Sequence, residues 1–231
     1  MSLSYALARG PFARSMTRGT TSVLAGDEHL VSGGAVLVCN HWSDADPAIL
    51  LRTLPVEVGF LAAPFMGRLP VFRTLLRRAG SVAIGAERPE PWREQVRARL
   101  VNGHKLVVFP EGQAWIRGQD FDAPMAPFHP GFAAFAYEAA VPVVPMVIVG
   151  LQSHVESFRT SPLVRRMAGD PEELRQTREV LRYDRCRVQV LRPLAADRFA
   201  GMSKEEAVPW LIAEARAQME RALQAASVAP S

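Results

Sequence analysis

The sequence predicts one α/β domain, a mostly parallel mixed sheet of about six or seven strands with helices on both faces. Three observations lead there. Ala35 to Cys39, Lys105 to Phe109 and Val143 to Gly150 are short, nearly continuous apolar runs, the pattern of strands buried on both faces rather than on one. Helical patterns separate these runs, as parallel pairing requires, because parallel strands must be joined by crossovers. Two of the runs end in polar turns, and open α/β sheets carry their ligands at the carboxyl ends of strands.

In chain order, residues 1–30 form an N-terminal arm and residues 31–231 the main domain. The arm lacks the continuous apolar core of a signal peptide, but Arg9, Arg14 and Arg18 alternate with Leu7, Phe12 and Met16. It reads as a packing arm, a disordered tail or an interfacial membrane anchor. Ala35 to Cys39 is the first strand, and Asp46-Pro47 opens a short helix to Thr53, with Asp as cap and Pro at the first helical position. Val56 to Ala62 is a second strand. Leu69, Phe72, Leu75 and Leu76 give Leu69 to Arg78 an amphipathic helical spacing that Gly80 ends. Ser81 to Ile84 is a third strand, Pro91 to Val101 a charged surface helix, and Lys105 to Phe109 a fourth strand. Gln113 to Pro130 has no periodicity and is long for a simple connection, which marks a functional or mobile loop. Gly131 to Ala140 reads as a helix before the Val143 to Gly150 strand. A helix is predicted at Pro171 to Leu181, and a final edge strand at Cys186 to Leu191, where Arg and Gln alternate with Val. Ser203 to Ala226 closes the chain as an amphipathic helix, its Ser203 cap followed three residues on by Glu206.

Composition narrows the function. With 231 residues, 48% hydrophobic and 22% charged, the chain is long enough for one sizeable core. The net charge of +4 comes from scattered arginines such as Arg77-Arg78 and Arg165-Arg166. They suit a solvated surface or, in the functional reading, weak attraction to an anionic membrane face or to a phosphorylated donor, and no basic stripe interleaved with aromatics points to nucleic acid. Cys39 and Cys186 lie far apart in apolar runs, neither a redox pair nor a disulfide framework, and fit a reducing cytoplasm. The longest apolar run, Ala139 to Leu151, falls short of the ~20 residues of a membrane span and carries two prolines. Five His and two Cys form no ligand cluster, so no metal is expected.

The chemistry-bearing stretch is Asn40-His41-Trp42-Ser43-Asp44-Ala45-Asp46. Its spacing lets the Asp46 carboxylate fold back across one turn onto one imidazole nitrogen, leaving the other as a base. In the competing reading Asp46 is only a helix cap and His41 an ordinary turn residue. A second turn, Phe109-Pro110-Glu111-Gly112, closes the Lys105 strand 70 residues later. In this order the two turns, with Val141-Pro142-Val143-Val144-Pro145 behind them, resemble the glycerolipid acyltransferases, among them the bacterial 1-acylglycerol-3-phosphate acyltransferases. The resemblance covers roughly residues 34 to 195.

That resemblance implies transfer of a fatty acyl group from acyl-CoA or acyl-carrier protein to the hydroxyl of a lysophospholipid or glycerol-type acceptor. His41 would be the general base oriented by Asp46, and Pro110, Glu111 and Gly112 would bind the acceptor. No cofactor is implied beyond the acyl donor as co-substrate. The enzyme would work at the cytoplasmic, inner face of a membrane as a peripheral protein. A thioester is already activated, so neither Ser43 nor Cys39 is needed as a nucleophile. A Gly-x-Ser-x-Gly elbow, a dinucleotide fingerprint and a P-loop are all absent from the sequence. The other class left open is a catalytically silent lipid-binding or membrane-associated partner protein of the same fold.

One departure bears on the acceptor. Phosphate-binding relatives follow the second turn with Thr-Arg-Ser and end the preceding strand in Arg, where this chain has Gln113-Ala114-Trp115 and Ala86. Arg makes two charge-assisted hydrogen bonds to a phosphate and Ala makes none. Arg88 and Arg117 lie close enough in sequence to substitute as acceptor ligands. Otherwise Trp115 covers a less charged head group, and lysophosphatidate is not the preferred acceptor.

Overall fold

The computed structural model of the chain describes residues 3–62, 80–84, 89–112, 124–167, 172–175 and 177–228. In chain order the elements are α1 (Leu3–Leu7), α2 (Ala13–Met16), β1 (Thr21–Ala25), β2 (Ala35–Cys39), α3 (Asp46–Thr53), β3 (Val58–Ala62) and β4 (Val82–Ala83). Then come α4 (Pro89–Val101), β5 (Lys105–Val108), α5 (Gly131–Ala139), β6 (Val143–Phe158), α6 (Pro162–Met167), β7 (Arg178–Val190) and α7 (Lys204–Val228). The seven strands form one sheet in the order β1-β7-β6-β2-β5-β3-β4. β6, β2, β5, β3 and β4 run parallel, β7 pairs antiparallel with β6, and β1 follows β7. The predicted mostly parallel mixed sheet is the one observed. The amphipathic helix read at Leu69 to Arg78 falls outside the described residues.

Every residue of β2 is buried, because its two faces feed two separate cores. Leu37 and Cys39 point into a cluster with Ile49, Leu50 and Leu54 of α3 and with Tyr5 and Ala13 of the N-terminal segment. Val36 and Val38 point into the other, with Leu100 of α4, Phe132 and Phe135 of α5, and Leu211 and Met219 of α7. Helices therefore cover both faces. β3 approaches its neighbours so closely that a Cβ at Gly59 would lie 2.4 Å from the Gly80 carbonyl oxygen, which only glycine avoids.

The N-terminal segment is anchored to this frame. The Tyr5 hydroxyl donates to the Val56 carbonyl at 3.0 Å and accepts from the Val58 N–H at 3.1 Å, and β1 forms the sheet's outer strand. Among the described residues no helix is long and apolar enough to cross a membrane. At the other end, Glu206 accepts from the Ser203 N–H and hydroxyl at 2.9 and 2.8 Å, which holds its carboxyl below the usual range. This is the predicted capping pair at the start of α7.

Two sequence expectations are corrected. Residues 178–181 are strand, not the end of a helix, and Glu172–Leu174 is a single 3-10 turn. β7 starts eight residues before the predicted strand and lies between β1 and β6, so the edge belongs to β1. The cause is a β-bulge: pairing passes from Gly150–Cys186 to Gln152–Arg185 to Ser153–Tyr183, leaving Leu151 and Asp184 without partners. Burial accordingly alternates through Leu181 and Tyr183, then changes phase to Cys186, Val188 and Val190. A period of two broken in the middle does not read as one strand.

Both cysteines are free and buried. Burial, with the nearby Asp46 charge, pushes the Cys186 thiol up to about 12, and the same causes push Cys39 well above the ordinary range. An unfolded chain releases these protons near pH 8.5, whereas the folded chain keeps them, so stability falls as pH rises above that value. The melting temperature should therefore decline between about pH 8 and pH 10, less steeply in Cys186→Ala. A wild-type melting temperature that is flat over this range would show that the folded chain does not hold the thiol protons.

Candidate functional site

β2 ends at Cys39, and the next residue is held hard against the sheet. Asn40 is fully buried, and its side chain does what a neighbouring strand would do. Its Nδ2 donates to the Ile148 carbonyl at 3.1 Å and its Oδ1 accepts from the Ile148 N–H at 2.8 Å. This pair of hydrogen bonds to β6 satisfies one residue's backbone donor and acceptor together, and it fixes where His41 leaves the sheet. Asn40 was not foreseen as a site residue. Its signal was a lone amide at the end of an all-apolar strand, where a buried amide needs partners for both ends.

His41 and Asp46 meet as their spacing requires. The imidazole Nδ1 lies 2.9 Å from Asp46 Oδ2, with the His41 side chain 11% exposed and Asp46 at 0%. The same Oδ2 accepts the N–H groups of Trp42 and Ser43, each at 2.8 Å. Asp46 is therefore not the helix cap: the cap position is Ala45, which makes no side-chain cap bond, and the carboxylate faces back into the turn. The Phe109 ring stacks on the imidazole with centroids 4.1 Å apart and planes at 22°. Among the described residues, Nε2 has no hydrogen-bond partner.

The second turn reaches the first through Glu111, which is 6% exposed. Its Oε1 accepts the His41 backbone N–H at 3.3 Å, and its Oε2 accepts the Ala126 N–H at 2.8 Å. Arg216 of α7 then donates to the carbonyls of Met125 and Ala126 at 2.7 and 2.9 Å, tying the last helix into the same network. Pro110 is buried, and its carbonyl accepts from His129 N–H at 2.8 Å. Gly112 has a φ of 72°, and a Cβ there would meet the His129 ring at 3.1 Å. Arg88, Trp115 and Arg117, together with Ala86 and Gln113-Ala114, lie outside the described residues.

Ser43 and Cys39, the hydroxyl and the thiol that flank His41, are both buried. Ser43 is 1% exposed, and its hydroxyl donates to the Leu181 carbonyl at 2.6 Å. Cys39 is buried with its thiol pushed up by desolvation first and by Asp46 and Glu111 next, so the reactive thiolate is suppressed. A cavity of about 670 Å³ bordered by His29, Gln189, Arg192 and Arg221 shares no lining residue with either turn. Among the described residues no group of His, Cys, Asp and Glu side chains is arranged to hold a metal.

A likeness to known proteins converges on these turns. The acyltransferase family model matches residues 22–149, more than half the chain and a span containing His41, Asp46 and Glu111. A probable 1-acyl-sn-glycerol-3-phosphate acyltransferase of Mycoplasma pneumoniae is 28% identical over 147 residues, 61% of this chain and 53% of that protein. The 1-acyl-sn-glycerol-3-phosphate acyltransferase of Cocos nucifera is 29% identical over 134 residues, 55% of this chain and 42% of that protein. This chain thus spans about half the length of these relatives. The crystal structure of the 1-acyl-sn-glycerophosphate acyltransferase PlsC from Thermotoga maritima shares the fold, with a TM-score of 0.67 at 19% identity over 98% of this chain and 81% of that one. On the family match, the chain belongs to the acyltransferase family.

Proposed function

We propose that this protein transfers a fatty acyl group from the thioester of acyl-CoA or acyl-carrier protein to the free hydroxyl of a lysoglycerolipid. The observation that carries the reading is the His41–Asp46 pair, with Nδ1 held at 2.9 Å and Nε2 left for substrate. His41 Nε2 takes the hydroxyl proton as the acceptor oxygen attacks the thioester carbonyl carbon. The tetrahedral intermediate then collapses, the C–S bond breaks, and the imidazolium returns its proton to the departing thiolate. An ester and a free thiol result, with no covalent enzyme intermediate and no cofactor. Asp46 fixes the tautomer and stabilises the imidazolium, as a buried carboxylate partner does. Support also comes from the relatives' named activity and from the family match. The site would be reached from the inner face of a membrane, where the lipid acceptor resides.

Glu111 serves this reaction from behind the base. Both its oxygens already hold backbone N–H groups, one of them that of His41. Pro110 and Gly112 shape the turn that presents it.

The test is thiol release from acyl-CoA with a lysolipid panel. His41→Ala should lose about 10²-fold or more in rate while its melting temperature stays close to wild type, since general-base catalysis contributes about 10²–10⁴. Asp46→Ala should lose activity and also roughly 1–3 kcal/mol of stability, because the Trp42 and Ser43 N–H groups lose their acceptor. Lysolipid binding without any thiol release would instead make the protein a silent lipid carrier. Glu111→Ala should lower kcat and stability while leaving the acceptor KM near wild type; a raised KM at unchanged kcat would mean that Glu111 binds acceptor directly. Among head groups, zwitterionic or neutral acceptors should equal or exceed lysophosphatidate at equal concentration. A clear preference for lysophosphatidate that Arg88→Ala or Arg117→Ala removes would show that those arginines supply the missing phosphate contacts.

A further inference from the structure

Leu181 and Arg182, consecutive residues of β7, bond to the His turn, and Tyr183 follows them in the strand. The Leu181 carbonyl accepts from the Ser43 hydroxyl at 2.6 Å. Arg182 donates to Asp44 at 2.5 Å and reaches Glu156 of β6 at 3.4 Å. Tyr183, 3% exposed, stands over Gly150 of β6, where an added Cβ would lie 3.1 Å from its ring. Glycine there leaves room for the phenol to lean toward the turn.

The Tyr183 hydroxyl and Asp46 Oδ1 are both buried with no hydrogen-bond partner among the described residues. Tyr183 lies in the same buried cluster as Cys39 and Ile49, which flank the His turn on either side. Burial pushes the Tyr183 phenol well above its usual range, and the nearby Asp46 charge is the next cause. A buried donor and a buried acceptor, each lacking another partner, gain most by pairing, since an unsatisfied polar group costs about 1–3 kcal/mol.

We infer that β7 is the brace of the catalytic turn and that Tyr183 is a positioning residue, its O–H directed at Asp46 Oδ1 so that Oδ2 stays aimed at His41. The role rests on the proposed acyl transfer only for its effect on rate. It lies outside residues 22–149, so the family match does not carry it. Asp46 is faced by His41, Tyr183, Cys39 and Cys186, and His41 by Asp46 and, through its backbone, Glu111. The Arg182–Asp44 ion pair lies at the rim. Cys39, Cys186 and Tyr183 are all held protonated, which leaves the phenol able to donate.

Tyr183→Phe removes only the hydroxyl and keeps the ring against Gly150. Without that donor the Asp46 charge is concentrated on the side facing His41 and holds the imidazolium more tightly. The titration of His41, followed by NMR on the intact protein, should move to higher pH. In thiol release kcat should fall about tenfold, the loss of one hydrogen bond to a charged group, with the acceptor KM within about twofold. The NMR titration needs no turnover, so it decides the matter even if acyl transfer is not the reaction. A His41 titration that stays in place or moves lower overturns the inference. So does an unchanged kcat in an active wild-type background.

Discussion

The structure of this site depends on satisfying one buried carboxylate. Taking an ionised carboxyl fully out of water costs several kcal/mol even after relaxation, and its partners must offset that cost. Asp46 does so with a single oxygen that gathers His41 Nδ1, Trp42 N–H and Ser43 N–H within 2.8 to 2.9 Å. The turn wraps around the charge because the backbone supplies two of its three donors. The same requirement therefore folds the loop and orients the base. The two roles separate on inspection: deleting the imidazole leaves two backbone donors on the carboxylate, whereas deleting the carboxylate orphans both of them.

Around this centre, rigid neighbours grip the turn from different sides. Asn40 bonds to β6, Glu111 bridges from the end of β5, and β7 meets Ser43 and Asp44 from beyond the first two parallel neighbours. Supporting residues placed on strands hold a geometry more tightly than residues on loops. The reversal of β7 makes this possible. An antiparallel partner extending with β6 past Cys39 carries Leu181 to Tyr183 beside the His turn, whereas a parallel strand ending level with β2 would stop short.

Legibility in the sequence followed the range of the interactions. β2, β5 and the first half of β6 were readable because burial on both faces erases alternation, and their turns because Asp46 and Glu111 follow strand ends directly. The His41–Asp46 contact spans five residues and was legible for that reason. The cap assigned to Asp46 failed because the same side chain suits a helix start and a backward-facing turn, and only the donors present in three dimensions choose between them. β7 was hidden by a bulge that shifts its phase at Asp184. Tyr183 and Arg216 were invisible, since each reaches its partner across more than 80 residues with no local pattern to announce it.

The second consequence of the buried carboxylates concerns the route of the acyl group. Burial first, and then the Asp46 and Glu111 charges that hold the imidazole and its backbone, raise the Cys39 thiol, and burial followed by Asp46 acts likewise on Cys186. Ser43 spends its hydroxyl proton on the Leu181 carbonyl. In the proposed acyl transfer, the arrangement that would make His41 a base also leaves the Ser43 hydroxyl and the two thiols poorly suited to accept an acyl group covalently. Direct transfer, with the thioester and the acceptor hydroxyl together at Nε2, is the reading this supports. It would require holding two substrates at once beside an imidazole stacked on Phe109, and that favours a base fixed by strands rather than one free to swing.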